Sequence, residues 1–161
     1  MIKKSKKINA AILVIGNEIL SGRTRDQNVS YLASYLNDNL GIELKEVRIV
    51  PDVESKIIKS VLALSKSYNY VLTTGGIGPT HDDITSKSIS KAFKKKYIYH
   101  KEAYIILKKY YGEKDFNDPR KKMSKMPEGA KLVFNPSSAA PGFVIKNVIC
   151  LPGVPSILKS M

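Results

Sequence analysis

A chain of 161 residues, 43% hydrophobic and 25% charged, is long enough to bury one core without disulfide staples and reads as a single domain spanning residues 1–161. No run reaches the roughly 18 consecutive apolar residues that a membrane span needs, so a transmembrane helix is excluded. The net charge of +13 raises nucleic acid as a partner, but of 27 basic residues only Arg23, Arg25, Arg48 and Arg120 are arginines. With no nucleic-acid motif in view, a solvated lysine surface is expected and nucleic acid is not.

The chain opens on a lysine-rich leader whose apolar continuation is too short for a signal peptide and runs straight into "GNEILSG". "NAAILVIG" is a continuous apolar run ending at Gly16, as in a strand buried on both faces. From Asn28 the spacing turns helical, with Val29, Leu32, Ala33, Leu36 and Leu40 on one stripe before a capping Gly41. "IELKEVRIV" alternates Ile42, Leu44, Val47 and Ile49 with polar residues and stops at Pro51. A second helix follows, with Val53, Ile57, Val61 and Leu64 inward, and "YNYVLTTGG" runs as a buried strand into a glycine loop. This βαβαβ order requires parallel strands and right-handed crossovers, and it gathers the loops at Gly16, Pro51 and Gly75 along one sheet edge.

Further on, "DITSKSISKAF" is predicted helical, "KYIYH" a short strand, and "EAYIILKKYYG" a helix with Tyr104, Leu107 and Tyr111 on one side. "EKDFNDPR" is a loop and "RKKMSKM" a short helix; "AKLVF", "GFVIK" and "VICLPG" are strands, the last two joined by a tight turn at Lys146-Asn147. Cys150 has no partner for a disulfide, which suits a reducing compartment, and the cytoplasm is expected.

The stretch "TTGGIGPTHDDIT" combines Gly75, Gly76 and Gly78, which permit close backbone approach to a phosphate, with Asp82 and Asp83, which repel one. It matches neither GxGxxG nor GxxxxGK[ST]. Thr80-x-x-Asp83 has the spacing of a helix cap, which accounts for one acid more readily than for two. A Mg²⁺ between phosphate and carboxylates reconciles the pair, because that cation takes oxygens of both kinds. Glu18 after the first strand, Asp52 after the second and "NPSSAAPG" between two late strands share the expected face, giving an acidic rim around a glycine cradle. His81 and His100 have no partner that would make either a base, and Tyr68, Tyr70, Tyr97 and Tyr99 read as packing residues.

"GNEILSGRTRDQN", "VRIVPD", "TTGGIGPTHDDIT", "MPEGAKLVFNPSSAAPGF" and "LPGVPSILKSM", in this order, resemble the MoaB/Mog molybdopterin-binding domain superfamily. More narrowly they are similar to the N-terminal domain of CinA-type (competence/damage-inducible) proteins and to the matching domain of animal FAD synthase. The resemblance implies a three-layer α/β/α sandwich with a mostly parallel sheet and a pterin or nucleotide at the glycine loop. It implies Asp52 and Asp83 as catalytic acids; Asp82, Asp83 and Glu18 are expected, from the acidic rim itself, to hold Mg²⁺. The expected ligand and phosphate contacts are Gly75, Gly76, Gly78, Thr80, Ser137, Ser138, Pro152 and Gly153.

In this resemblance "GNE" and "PTHDD" stand nearer the CinA-type branch, whose domain is similar to a metal-dependent pyrophosphatase on ADP-ribose. Molybdopterin adenylyltransferase is the alternative, and a non-catalytic ligand-binding module the third. Ser138 and Ala139 replace the Gly-Thr pair usual before "APG", and a C-terminal continuation past Met161 is expected. Domains of the superfamily form dimers, trimers and hexamers, so a homo-oligomer is compatible with the resemblance.

Overall fold

The computed structural model describes residues 7–161; the lysine-rich leader falls mostly at residues 1–6, outside the described residues. The first strand, β1 (Asn9–Ile15), sits inside the sheet, so both of its faces meet apolar layers. Ala11, Leu13 and Ile15 point to one cluster, and Ala10, Ile12 and Val14 to the other, as the two-residue repeat of a strand dictates. After β1 come a short helix α1 (Asn17–Leu20) and α2 (Asn28–Ser34), which continues as a π turn over Tyr35–Asn39. Leu32 and Leu36 are buried as predicted, but Leu40 is exposed. The wider turn adds residues to the last winding and rotates Leu40 off the stripe.

The edge strand β2 (Glu43–Val50) pairs parallel with β1, with a register shift where Ala10 faces Leu44 and Ala11 faces Glu46. That bulge at Lys45 puts Val47 and Ile49, opposite Ile12 and Val14, on the face that Leu44 shares with Ala10. Val47 and Ile49 are exposed, and Glu46 and Arg48 sit half-buried on the covered side, where Glu46 accepts from Arg48 and from the Tyr68 hydroxyl at 2.8 Å. Tyr68 is therefore a hydrogen-bonding residue as well as a packing one. Helix α3 (Glu54–Ser67) buries Ile57, Val61 and Leu64 as predicted, while Val53 is its exposed N-cap. It leads into β3 (Tyr70–Thr74), parallel to β1.

The next helix, α4 (Thr85–Ala92), is followed by β4 (Tyr97–Tyr99) and α5 (Lys101–Asp115), whose helical winding is interrupted at Gly112. His100 caps α5, its Nδ1 accepting from the Ala103 N–H. Helix α6 (Asp118–Lys122), capped by Asn117, starts inside the predicted loop, and the second half of "RKKMSKM" is not helical. It enters β5 (Lys125–Pro127), antiparallel to β4, and this long-range pairing fixes a three-residue strand too short to announce itself by pattern.

Strands β6 (Lys131–Val133), β7 (Gly142–Ile145) and β8 (Val148–Leu151) complete the main sheet, and α7 (Pro155–Ser160) follows. The order is β2-β1-β3-β8-β7-β6; the first four strands are mutually parallel and β7 runs against its neighbours. Lys146 takes the left-handed conformation in the β7–β8 turn, and Asn147 locks that turn onto Ser65 and Tyr68. Helices α3, α4 and α5 cover one face and α2 and α7 the other, which makes a three-layer α/β/α sandwich with a mostly parallel sheet. Among the described residues no helix is long and apolar enough to cross a membrane.

Candidate functional site at the carboxyl edge of the sheet

The chain leaves β3 through Gly75 and Gly76, both at positive φ (95° and 69°), a conformation that side chains beyond glycine rarely adopt. Space imposes the same choice. A Cβ on Gly75 would collide with the Ile15 carbonyl, one on Gly76 with the Thr85 hydroxyl, and one on Gly78 would lie 2.7 Å from Asp83 Oδ2. The Gly75 N–H donates to the Leu151 carbonyl at 3.1 Å and the Thr85 N–H to the Gly76 carbonyl at 2.9 Å, which ties the loop to β8 and to α4. Among the described residues, the N–H groups of Gly76, Ile77 and Gly78 donate no hydrogen bond.

Asp83 does not cap α4, whose N-cap is Ile84 with no side-chain bond. Its Oδ2 accepts from the Thr80 N–H at 2.8 Å and from the Thr80 hydroxyl at 2.5 Å. The Thr80-x-x-Asp83 spacing thus closes the loop upon itself, with Asp83 packed on the Gly78 backbone and Oδ1 without a hydrogen-bond partner. Asp82 lies on the exposed outside of the loop. The polar groups of Thr80 and its own backbone N–H close by, with His81 and Lys122 near, hold its carboxyl below the ordinary aspartate range.

These residues open onto a cavity of about 600 Å³. Of the expected contacts, Gly75, Gly76, Gly78, Ser138, Pro152 and Gly153 line it together with the carboxylates of Glu18 and Asp83. Asp52, Asp82, Thr80 and Ser137 do not. Asp52 instead makes a reciprocal pair across two loops: its Oδ2 accepts from the Asn17 N–H at 2.8 Å, and the Asn17 Oδ1 from the Asp52 N–H at 3.3 Å. It therefore fixes the start of α1, which carries Glu18. Ser137 turns to α7, where its hydroxyl donates to Ser160 Oγ at 2.8 Å. Among the described residues no group of three or more His, Cys, Asp or Glu is placed to hold a metal ion.

Several wall residues have no signal in the sequence. Tyr111 and Met123 enter the cavity from α5 and the end of α6, with Arg120 stacked over the Tyr111 ring 4.2 Å from its centroid. Asn28 reaches across from α2 to donate to the Gly153 carbonyl at 2.8 Å. Asn135, fully buried, accepts from the Ser137 and Ser138 N–H groups and donates to Ser138 Oγ and the Ala140 carbonyl. The "NPSSAAPG" loop is thus wound around one amide, with Ala139 at φ 62° at its tip. The lone asparagine before a proline was the one available cue.

A parallel sheet whose carboxyl edge carries a glycine cradle, two carboxylates and a facing loop from β8 is an α/β domain with a ligand-sized cleft at its strand ends. The chain belongs to the family described as probable molybdopterin binding domain, whose model matches residues 11–161. It is 39% identical over 155 residues to a CinA-like protein of Fusobacterium nucleatum, covering 96% of this chain and 38% of that protein. A protein of Archaeoglobus fulgidus is 38% identical over 149 residues, 92% of this chain and 63% of the relative. The chain thus spans between about two fifths and three fifths of the length of these curated relatives. The crystal structure of CinA from Thermoplasma acidophilum superposes with a TM-score of 0.89 at 32% identity, over 95% of this chain and 92% of that one. MoaB from Pyrococcus furiosus shares the fold, with a TM-score of 0.60 at 23% identity over 96% and 88% of the two chains.

Proposed function

We propose that this domain binds a nucleotide phosphoanhydride of the ADP-ribose type and hydrolyses it with Mg²⁺. The observation that carries the reading is the Asp83 carboxylate packed on Gly78, at the mouth of a loop whose three successive N–H groups are unpaired. Those donors suit anhydride oxygens, and the pairing of acid and cradle needs a cation to be tolerable. The donor set fits Mg²⁺, which characteristically takes one or two carboxylates and completes its shell with phosphate oxygens and water, without an all-protein cage. Glu18 and the free Oδ1 of Asp83 would hold the ion, which supplies Lewis-acid neutralisation of the anhydride charge. Asp52 acts at one remove, positioning Glu18 through Asn17. Tyr111 and Met123 offer a wall on which a planar base can pack.

Hydrolysis of the P–O–P bond takes up one water and leaves two phosphomonoesters, and no covalent nucleophile is required. Among the described residues neither histidine side chain hydrogen-bonds a serine hydroxyl, and no cysteine lines the cavity. The likeness to CinA-type proteins supports this branch, because the likeness to MoaB and Mog proteins is a likeness of fold. Adenylyl transfer to molybdopterin remains the second reading, favoured by the family's description as molybdopterin binding and by the same cradle and acids. Incubation with Mg²⁺ and, in parallel, ADP-ribose, FAD, and ATP plus molybdopterin separates them by chromatography. AMP from ADP-ribose supports hydrolysis, an adenylylated pterin supports transfer, and tight binding without turnover supports a non-catalytic module.

A further inference from the structure

A second cavity of about 280 Å³ shares Asp83 with the glycine-loop cavity and is walled by His81, Tyr97 and Tyr99 and by Lys87, Lys122 and Lys125. The three lysines come from three separate places, α4, α6 and β5, so their convergence is a product of the fold. None of these three has a carboxylate within 4.0 Å among the described residues. Lys122 donates to the Thr80 carbonyl, and Lys125 lies over the Tyr99 ring at 4.5 Å and the Tyr97 ring at 5.6 Å. The one carboxylate at this cavity is Asp83, which also lines the glycine-loop cavity and is already bonded to Thr80. Burial holds the Lys122 ammonium below the ordinary lysine range, and Lys87 adds repulsion, while Asp83 and Asp82 oppose the shift. A partly buried ammonium flanked by two more lysines, with no carboxylate within 4.0 Å, is relieved by an anion.

We propose that this lysine cavity is a second anion site that takes a phosphomonoester, the sugar phosphate half of the cleaved anhydride. The assignment of the occupant rests on the hydrolase reading above; the anion site itself does not. The two cavities meet at Asp83, so a substrate with a phosphate on the glycine loop has its second phosphate directed at Lys122 and Lys125. The small volume suits a sugar phosphate, and the larger cavity has room for the nucleoside half. The tyrosine walls give the sugar ring an apolar surface beneath the ammonium groups.

The test is calorimetric titration of the whole chain with ribose 5-phosphate, alone and in saturating AMP, at one fixed ionic strength. The variants are Lys125→Met with Lys87→Met, and separately Lys122→Met, with Lys56→Gln plus Lys59→Gln on the exposed face of α3 as a control for net charge. Ribose 5-phosphate is expected to bind with AMP present, and the Lys87/Lys125 double variant to weaken it about tenfold or more, as loss of charge-assisted hydrogen bonds does. The control pair is expected to change it less than twofold. Of the three lysines only Lys122 hydrogen-bonds Thr80 among the described residues, so a folding or loop defect in Lys122→Met leaves the test intact. Equal losses in the control and cavity variants, or displacement of ribose 5-phosphate by AMP with no effect of the cavity lysines, would overturn the proposal. Loss confined to the cavity variants, in a protein that cleaves no anhydride, upholds the anion site and discards the hydrolase reading.

Discussion

Asp83 is held in place by two groups of Thr80 and by the missing side chain of Gly78, so its geometry and its charge can be separated by substitution. Asp83→Asn keeps an oxygen for the Thr80 N–H. The variant is expected to melt within a few degrees of wild type while losing Mg²⁺ binding and about 100-fold or more in turnover, as removal of a charged transition-state stabiliser does. Gly76→Ala is the opposite case. With φ at 69° and the Thr85 hydroxyl where a Cβ would stand, it is expected to cost about 2–3 kcal/mol in urea unfolding as well as weakening nucleotide binding. A variant as stable as wild type would show that the loop relaxes freely, and the rigid cradle would be wrong. The glycine loop and the place of Asp83 beside it were legible because they are local facts, but the Thr80-x-x-Asp83 spacing closes the loop instead of capping the helix, and Asp82 lies outside the cavity. The roles of Asp52 and Ser137 were not, because each is decided by a partner, Asn17 or Ser160, far away in sequence.

Among the elements, the two-residue and helical periods located the main-sheet strands and the covering helices, since those periods follow from burial on one or both faces. The pattern failed at the sheet edge and at a backbone irregularity. Val47 and Ile49 lie exposed on the edge strand β2 although they share a face with Leu44, and the π turn at Tyr35–Asn39 turns Leu40 outward. The three-residue step from Leu44 to Val47 marks the bulge, but how far an edge strand is covered depends on distant elements. The same limit applies to Asn28, whose bond to Gly153 couples α2 to the loop after β8. Asn28→Ala is expected to cost about 1–3 kcal/mol, because a buried hydrogen bond is lost, and to loosen the Pro152–Gly153 wall. Hydrogen exchange would read this as faster exchange confined to that loop and α7; unchanged protection there would show that Asn28 is not its anchor.

For the whole molecule, the carboxyl edge of a parallel sheet decides where the site lies, and the buried groups decide how stability responds to pH. Burial pushes the Cys150 thiol up to about 12 and the half-buried Tyr97 hydroxyl to about 12 as well. Both are neutral when protonated and have folded values above their ordinary ones. The stability they contribute is fully present below pH 9 for Cys150 and below pH 10 for Tyr97, and is lost as pH rises toward 12. Thermal melts are expected to fall from about pH 9, and Cys150→Val to delay the onset by about one unit; an unshifted onset would contradict the burial of that thiol.

The central claim is that cradle and acid act together on a phosphoanhydride, and release of AMP from ADP-ribose with Mg²⁺ tests it most directly. Wild type is expected to release AMP, and Asp83→Asn to bind ADP-ribose while releasing about 100-fold less. Equal rates in the two proteins, or no AMP from a wild type that binds ADP-ribose and Mg²⁺ together, would contradict it.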